Sequence, residues 1–182
     1  MATILRYRPQ HEKPSVWSVS VAFRNPKETD RQKLLKELLK DVGINKAFEY
    51  QTEGNGKPYI LTEGRKMQIS LSHTKDITVA AIHLKGRIGV DIEKCNRKVP
   101  AALQTRIIST ESEKEIDTLT LWTIKEAFLK MTGTGLRTAM KDVKVISKGL
   151  NIFKVIGKNA EDEAMVYALR YREYRLAVAV EI

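Results

Sequence analysis

Apolar and polar residues alternate from Val16 to Phe23 (VWSVSVAF), and a period of two with β-branched residues predicts a strand. The spacing then changes. Leu34, Leu35, Leu38, Leu39 and Val42 recur at helical intervals, while Arg31, Lys33, Lys36 and Lys40 occupy the other face. Asn25-Pro26 suits a helix start and Gly43 a helix stop, so a helix is predicted from there to about Val42. Glu53 to Pro58 (EGNGKP) reads as a turn, because Asn-Gly favours tight reversal. Met67 to His73 and Ile77 to Leu84 read as strands, the second nearly all apolar and therefore buried. After the loop Lys85-Gly-Arg87, Ile88 to Glu93 reads as another. Residues 99–117 read as helical and charged, and Leu119 to Thr132 as a helix ended by Gly133. Four strands complete the chain: Val143–Ile146, Ile152–Ile156, Ala164–Tyr171 and Tyr174–Ile182, the last two as a hairpin. Strands and helices that do not alternate regularly point to an α+β fold rather than a doubly wound sheet.

A chain of 182 residues suits one domain or two small ones. With 42% hydrophobic and 30% charged residues, the composition argues against disorder. No apolar run approaches the ~20 residues that span a bilayer, so no membrane association is expected. The opening residues MATILRYRPQHEKP lack the apolar stretch of a signal peptide. Cys95, the single cysteine, permits no internal disulfide and no multi-cysteine metal site, which suits a reducing cytoplasm. The net charge is +10, concentrated before Ile88: 16 basic and 9 acidic residues lie up to Arg87, against 16 and 13 beyond it. That excess suits solubility or an anionic partner, which could be nucleic acid, a phosphorylated small molecule or an acidic protein. Zinc-finger spacing, arginine-rich tracts and aromatic RNA-binding signatures are missing. So are dinucleotide and Walker glycine patterns, which makes ordinary dehydrogenases and kinases poor fits.

In Ile88-Gly-Val-Asp-Ile-Glu93, Asp91 and Glu93 point to the same strand face, about 7 Å apart. Both could reach one hard cation such as magnesium, which takes one or two carboxylates plus substrate phosphates. A wet strand face would look the same. On the helix Leu119–Thr132, Leu121, Ile124, Phe128 and Met131 form a core stripe, and Trp122, Glu126, Leu129 and Lys130 form the opposite side. Trp122, Glu126 and Lys130 are neighbours at successive i, i+4 spacings. A Glu–Lys pair there is ordinarily a minor stabiliser, but a Trp and a Leu beside it should be covered, so the helix is expected to lie across a cleft. Ser72 and His73 end a strand. Lys57 is held extended by Pro58 and is expected to project from a strand start. Singly, each of these residues has an ordinary surface or structural reading.

Their order is distinctive. Gly56-Lys-Pro58, Ser70-Leu-Ser-His73, Gly89-Val-Asp-Ile-Glu93 and Trp122-Thr-Ile-Lys-Glu-Ala-Phe-Leu-Lys130 together resemble the 4′-phosphopantetheinyl transferase superfamily. The blocks resemble most its single-chain type, which activates nonribosomal peptide synthetases and acyl carrier proteins. The resemblance implies a monomer of two similar halves, 1–87 and 88–182, related by a pseudo-twofold, with an antiparallel sheet and helices in each and coenzyme A between them. It implies transfer of phosphopantetheine from coenzyme A to a serine of an acyl or peptidyl carrier protein, with release of 3′,5′-ADP. By the family pattern Asp91, Glu93 and Glu126 would hold magnesium, Glu126 would also act as base, and Lys130 would assist at the phosphates. Lys57, Ser72 and His73 would contact coenzyme A, and Arg31, Lys33 or Lys36 would serve its 3′-phosphate. An acidic carrier protein matches a +10 chain, and no nucleic-acid partner is then expected. The alternatives are a basic nucleic-acid-binding protein, or a metal-dependent nuclease, which would not account for Lys57, His73 and Trp122 together. Residues 147–182 match the family only in hydrophobic pattern, and the arginine-rich helix usual before Gly-Lys-Pro is shorter here.

Overall fold

Two antiparallel sheets carry the chain, and each has a helix packed on one face. The structure, a computed structural model, describes residues 2–5, 17–22, 31–159 and 161–182. The first sheet contains β1 (Ala2–Leu5), β2 (Trp17–Ala22), β3 (Glu49–Thr52), β4 (Pro58–Thr62), β5 (Arg65–His73) and β6 (Thr78–His83). The second contains β7 (Ile88–Lys94), β8 (Lys144–Gly149), β9 (Ile152–Ile156), β10 (Glu163–Tyr171) and β11 (Tyr174–Glu181). The helices are α1 (Arg31–Asp41), α2 (Ala101–Ile107) and α3 (Thr118–Thr132).

The spatial order is β1-β2-β6-β5-β4-β3 in the first sheet and β7-β11-β10-β9-β8 in the second. From β2 onward the two sheets repeat one plan: a strand, a helix, then four strands that return to lie beside the first, the last of them adjacent to it. α1 buries Leu34, Leu35, Leu38 and Leu39 against Ile60, Met67, Ile69 and Ile82 of the first sheet. Burying each leucine contributes about 1.5–3 kcal/mol before ordering costs are counted. Gly43, at φ 84°, ends α1 in the left-handed conformation that a helix stop requires.

Alternation decides what faces what on β7. Ile88, Val90 and Ile92 pack with Ile77 just before β6, with Val79 and Ala81 of β6 and with Leu176, Val178 and Val180 of β11, forming the core between the sheets. Gly89, Asp91 and Glu93 turn the other way, toward α3. Gly89 permits the approach: a Cβ there would lie 1.9 Å from the Ala127 carbonyl oxygen and 2.5 Å from the Met131 nitrogen. A glycine on the strand therefore lets the helix backbone rest directly on it.

Several sequence expectations shift. The predicted first strand is observed as Trp17–Ala22, and Val16 and Phe23 lie outside the described residues, as do Asn25 and Pro26. β1, β3 and β4 were not anticipated, each being only four or five residues long. The segment 99–117 divides into α2 and a 3-10 turn, Glu111–Glu115, with extended residues between them. The α3 prediction matches within one residue, capped by the Asp117 carboxylate, which accepts from the Thr120 nitrogen at 3.0 Å. No helix of the described residues is long and apolar enough to cross a membrane.

Candidate functional site

The two sheets meet along β5 and β7. On β5 the polar residues Ser70 and Ser72 alternate with Ile69 and Leu71, which pack toward α1. Ser70 Oγ accepts from the Val90 nitrogen at 3.0 Å. Ser72 Oγ donates to Asp91 Oδ1 at 2.9 Å. Both hydroxyls therefore join the first sheet to the second at the strand that carries the carboxylates.

From the helix side, Lys130 Nζ donates to Asp91 Oδ1 at 2.7 Å and to Ser72 Oγ at 2.8 Å. Asp91 is only 4% exposed, so this charged contact offsets a large desolvation penalty. Its second oxygen, Oδ2, is buried without a hydrogen-bond partner among the described residues, which leaves one acceptor unused. Glu126 lies one turn before Lys130. Burial raises its pKa first and repulsion from Asp91 second, while Lys130 and Arg97 oppose both. Lys130 thus turns to Asp91 rather than forming the expected i, i+4 pair with Glu126.

Between 119 and 131, only Trp122, Glu126 and Lys130 escape full burial, so the helix opens to its surroundings along that stripe alone. Leu129 belongs to the core instead, at 1% exposure. The Trp122 indole nitrogen is buried and has no hydrogen-bond partner among the described residues. Lys125, adjacent to Glu126, is fully buried, which the sequence reading missed. Its ammonium meets Glu113 Oε2 at 2.8 Å, Ser109 Oγ at 2.7 Å, the Met140 carbonyl at 3.2 Å and the Ile107 carbonyl. Glu113 also accepts from the Ser109 and Val145 nitrogens at 2.7 and 2.8 Å. Burial pulls the Lys125 pKa down and Glu113 opposes that. The visible signal was a lysine whose helical neighbours Leu121, Phe128 and Leu129 are all core.

The remaining predicted residues sit as follows. Glu93 shares the face of Asp91 but its carboxylate is bonded by the Arg97 guanidinium, which lies over the Trp122 ring. Consequently Asp91, Glu93 and Glu126 do not close on one another, and no set of three His, Cys, Asp or Glu residues poised for a metal occurs among the described residues. A cation still fits the donors present: among the described residues Asp91 offers an unpartnered oxygen and Glu126 is a neighbouring carboxylate without an ion pair, and hard divalent ions need only one or two carboxylates beside phosphate. His73 is exposed at the end of β5 and lines a cavity of about 360 Å³ with Arg31, Tyr50, Leu71, Ser72 and Thr78. Ser72 therefore borders both this cavity and Asp91.

Lys57 is not a projecting surface lysine. It is 7% exposed and donates to the Met131 carbonyl at 2.5 Å, one of the last carbonyls of α3, where a helix end attracts positive charge. Burial lowers its pKa to about 8. Lys57 and His73 share no partner among the described residues.

Comparison with known proteins gives the same direction. The sequence pattern of the family described as the 4′-phosphopantetheinyl transferase superfamily matches residues 87–179. The chain is also similar to 4′-phosphopantetheinyl transferase psf-1 of Bacillus pumilus, with 31% identity over 97 residues. That alignment covers 48% of this chain and 40% of the relative, so the chain spans less than half the length of the protein it matches. The matched stretch contains β7, α3 and the charged groups Asp91, Glu93, Arg97, Glu126 and Lys130, and on this match the chain belongs to the 4′-phosphopantetheinyl transferase superfamily.

Proposed function

We propose that this protein transfers the 4′-phosphopantetheine group of coenzyme A to a serine hydroxyl of an acyl or peptidyl carrier protein. The serine oxygen bonds to the phosphorus on the pantetheine side of the pyrophosphate, the bond to the bridging oxygen breaks, and 3′,5′-ADP leaves. The observation that carries this reading is the cluster Ser72–Asp91–Lys130 with Glu126 beside it, assembled across the two sheets, with Asp91, Glu126 and Lys130 inside the stretch that marks the family.

In this reading Asp91, Glu126 and, once free of Arg97, Glu93 hold magnesium, whose contribution is to offset the negative charge of the pyrophosphate. Lys130 adds a second cation at the phosphates while fixing Asp91. Glu126 takes the serine proton, directly or through one water; ligation to the cation would keep its carboxylate ionised and lower its basicity, which favours the water relay. The cavity beside Ser72 and His73 receives the nucleotide end. Of the three basic residues considered for the 3′-phosphate, Arg31 is the one that lines it. Lys57 keeps two N–H donors beyond its bond to Met131 and is assigned to coenzyme A with Ser72 and His73. The two sheets correspond to two halves dividing after Arg87, and the protein acts as a cytoplasmic monomer.

Intact mass of an apo carrier protein after incubation with the enzyme, magnesium and coenzyme A tests this directly. A gain of one phosphopantetheine group is expected, abolished by EDTA and by Asp91→Ala. An unchanged carrier mass across a panel of acyl and peptidyl carrier proteins, with a folded enzyme, would refute it.

A further inference from the structure

We propose that Arg97 is the resident counter-ion of the carboxylate site, and that a divalent cation must take Glu93 from it, releasing the guanidinium from Trp122. This rests on the reading of Asp91, Glu93 and Glu126 as metal-holding groups. The turn after β7 builds the contact: the Arg97 nitrogen donates to the Lys94 carbonyl at 2.8 Å and folds the side chain back along the strand. The guanidinium bonds Glu93 Oε1 and lies 5.2 Å from the centre of the Trp122 ring. Glu93 is 14% exposed, so its charge needs a partner, and Arg97, at 42%, is free to move.

Charge explains why the two cations exclude each other. Three carboxylates, Lys130 and Arg97 leave the cluster at −1. A dication added with Arg97 in place would bring it to +1, whereas exchange for Arg97 brings it to zero. An exit also exists. Arg97 already lines a second cavity of about 240 Å³ with Val99, Gln104, Asp117 and Arg175, where the Asp117 carboxylate is 61% exposed. Arg97 is thus a positioning residue, holding Glu93 until the site is loaded.

The test is a manganese titration of the protein without coenzyme A, followed by calorimetry and by tryptophan emission in a Trp17→Phe background, where Trp122 alone reports. Arg97→Gln should bind manganese about 3- to 10-fold more tightly, since the competitor is an exposed ion pair with a stacked guanidinium. The emission change that accompanies binding should shrink, because the ring has already lost its cover. Arg97→Lys, which keeps charge but not the planar fork, should fall between. In a Glu93→Gln background Arg97→Gln should change affinity little. Unaltered affinity in Arg97→Gln would overturn the proposal. So would a gain that persists undiminished with Glu93→Gln, which would mean simple repulsion by a nearby charge. Failure of both the wild type and Arg97→Gln to bind manganese would remove the metal reading beneath it, a result distinct from equal binding by the two.

Discussion

The Lys125–Glu113 pair gives the sharpest expectation for stability. Both side chains are 0% exposed, so neither can turn to water when its partner is lost. In Glu113→Gln the amide oxygen can keep the Oε2 position, where the Ser109 nitrogen and the Lys125 ammonium donate, only by turning its NH2 toward the Val145 nitrogen that donates to Oε1. Donor then faces donor at that contact, and the buried ammonium loses its counter-charge. A charged hydrogen bond contributes about 1.5–3 kcal/mol and a neutral one about 1. The ammonium keeps only neutral acceptors, so a loss of about 3–5 kcal/mol is expected, the range for breaking a buried pair. Lys125→Met strips one donor from the Ile107 and Met140 carbonyls and from Glu113, but Glu113 keeps two backbone donors, so about 2–4 kcal/mol is expected. Against a total stability of about 5–15 kcal/mol these are large fractions. Urea unfolding followed by circular dichroism measures them, and melting should fall by about 2–4 °C per kcal/mol at this size. The double variant should cost clearly less than the sum, since each change has already removed the shared contact. Single losses below about 1 kcal/mol, or strict additivity, would refute the assignment of this pair as the anchor of α3.

Three further outcomes follow from the site. Gly89→Ala would force a Cβ against the backbone of Ala127 and Met131, so it should displace α3 and cost about 1–3 kcal/mol, with a larger loss in transfer than in melting temperature; wild-type turnover would show that the close approach is dispensable. Lys57 has a folded pKa of about 8 below its ordinary 10.5, so the folded chain binds fewer protons than the unfolded one between these values and stability should rise there with pH. Wild type should gain on Lys57→Met by at most about 3 kcal/mol between pH 8 and 10.5, read from paired urea titrations, and parallel pH profiles would contradict this. Glu126→Gln should lower kcat about 100-fold or more with a smaller effect on coenzyme A binding, as a lost general base requires; unchanged kcat with a carrier protein would remove Glu126 from the chemistry.

Long elements with a clear period were legible in the sequence: α3, the strands β9 to β11, and the two faces of β7. So was the open stripe Trp122–Glu126–Lys130. The strands β3 and β4 were not, because four or five residues beside an Asn-Gly turn show too little alternation to separate them from a loop. Lys57 was misjudged for a related reason. Sequence shows that Pro58 extends the chain, but not that the end of α3 comes to rest on it. Lys125 and Glu113 lie 12 residues apart, and their pairing depends on the bend at 108–110 that folds the second under the first. Partners chosen by tertiary contact leave little trace in local periodicity. The alternation Gln68, Ser70, Ser72 was visible, yet only the facing strand gives it meaning as a polar seam.

That seam also makes the site a gauge of docking. Ser72 comes from the first sheet, while Asp91 and Lys130 come from the second, and the two hydrogen bonds that Ser72 makes to them exist only when the sheets are joined. A fragment beginning at Arg87 would keep the family's matched stretch, its helix and its carboxylates, yet lack the hydroxyl that Asp91 and Lys130 share. On heating, separation of the sheets would silence the cluster while α3 still lay on its own strands. Loss of function would then precede loss of helical signal, and the gap between the two curves would measure how tightly the seam is held.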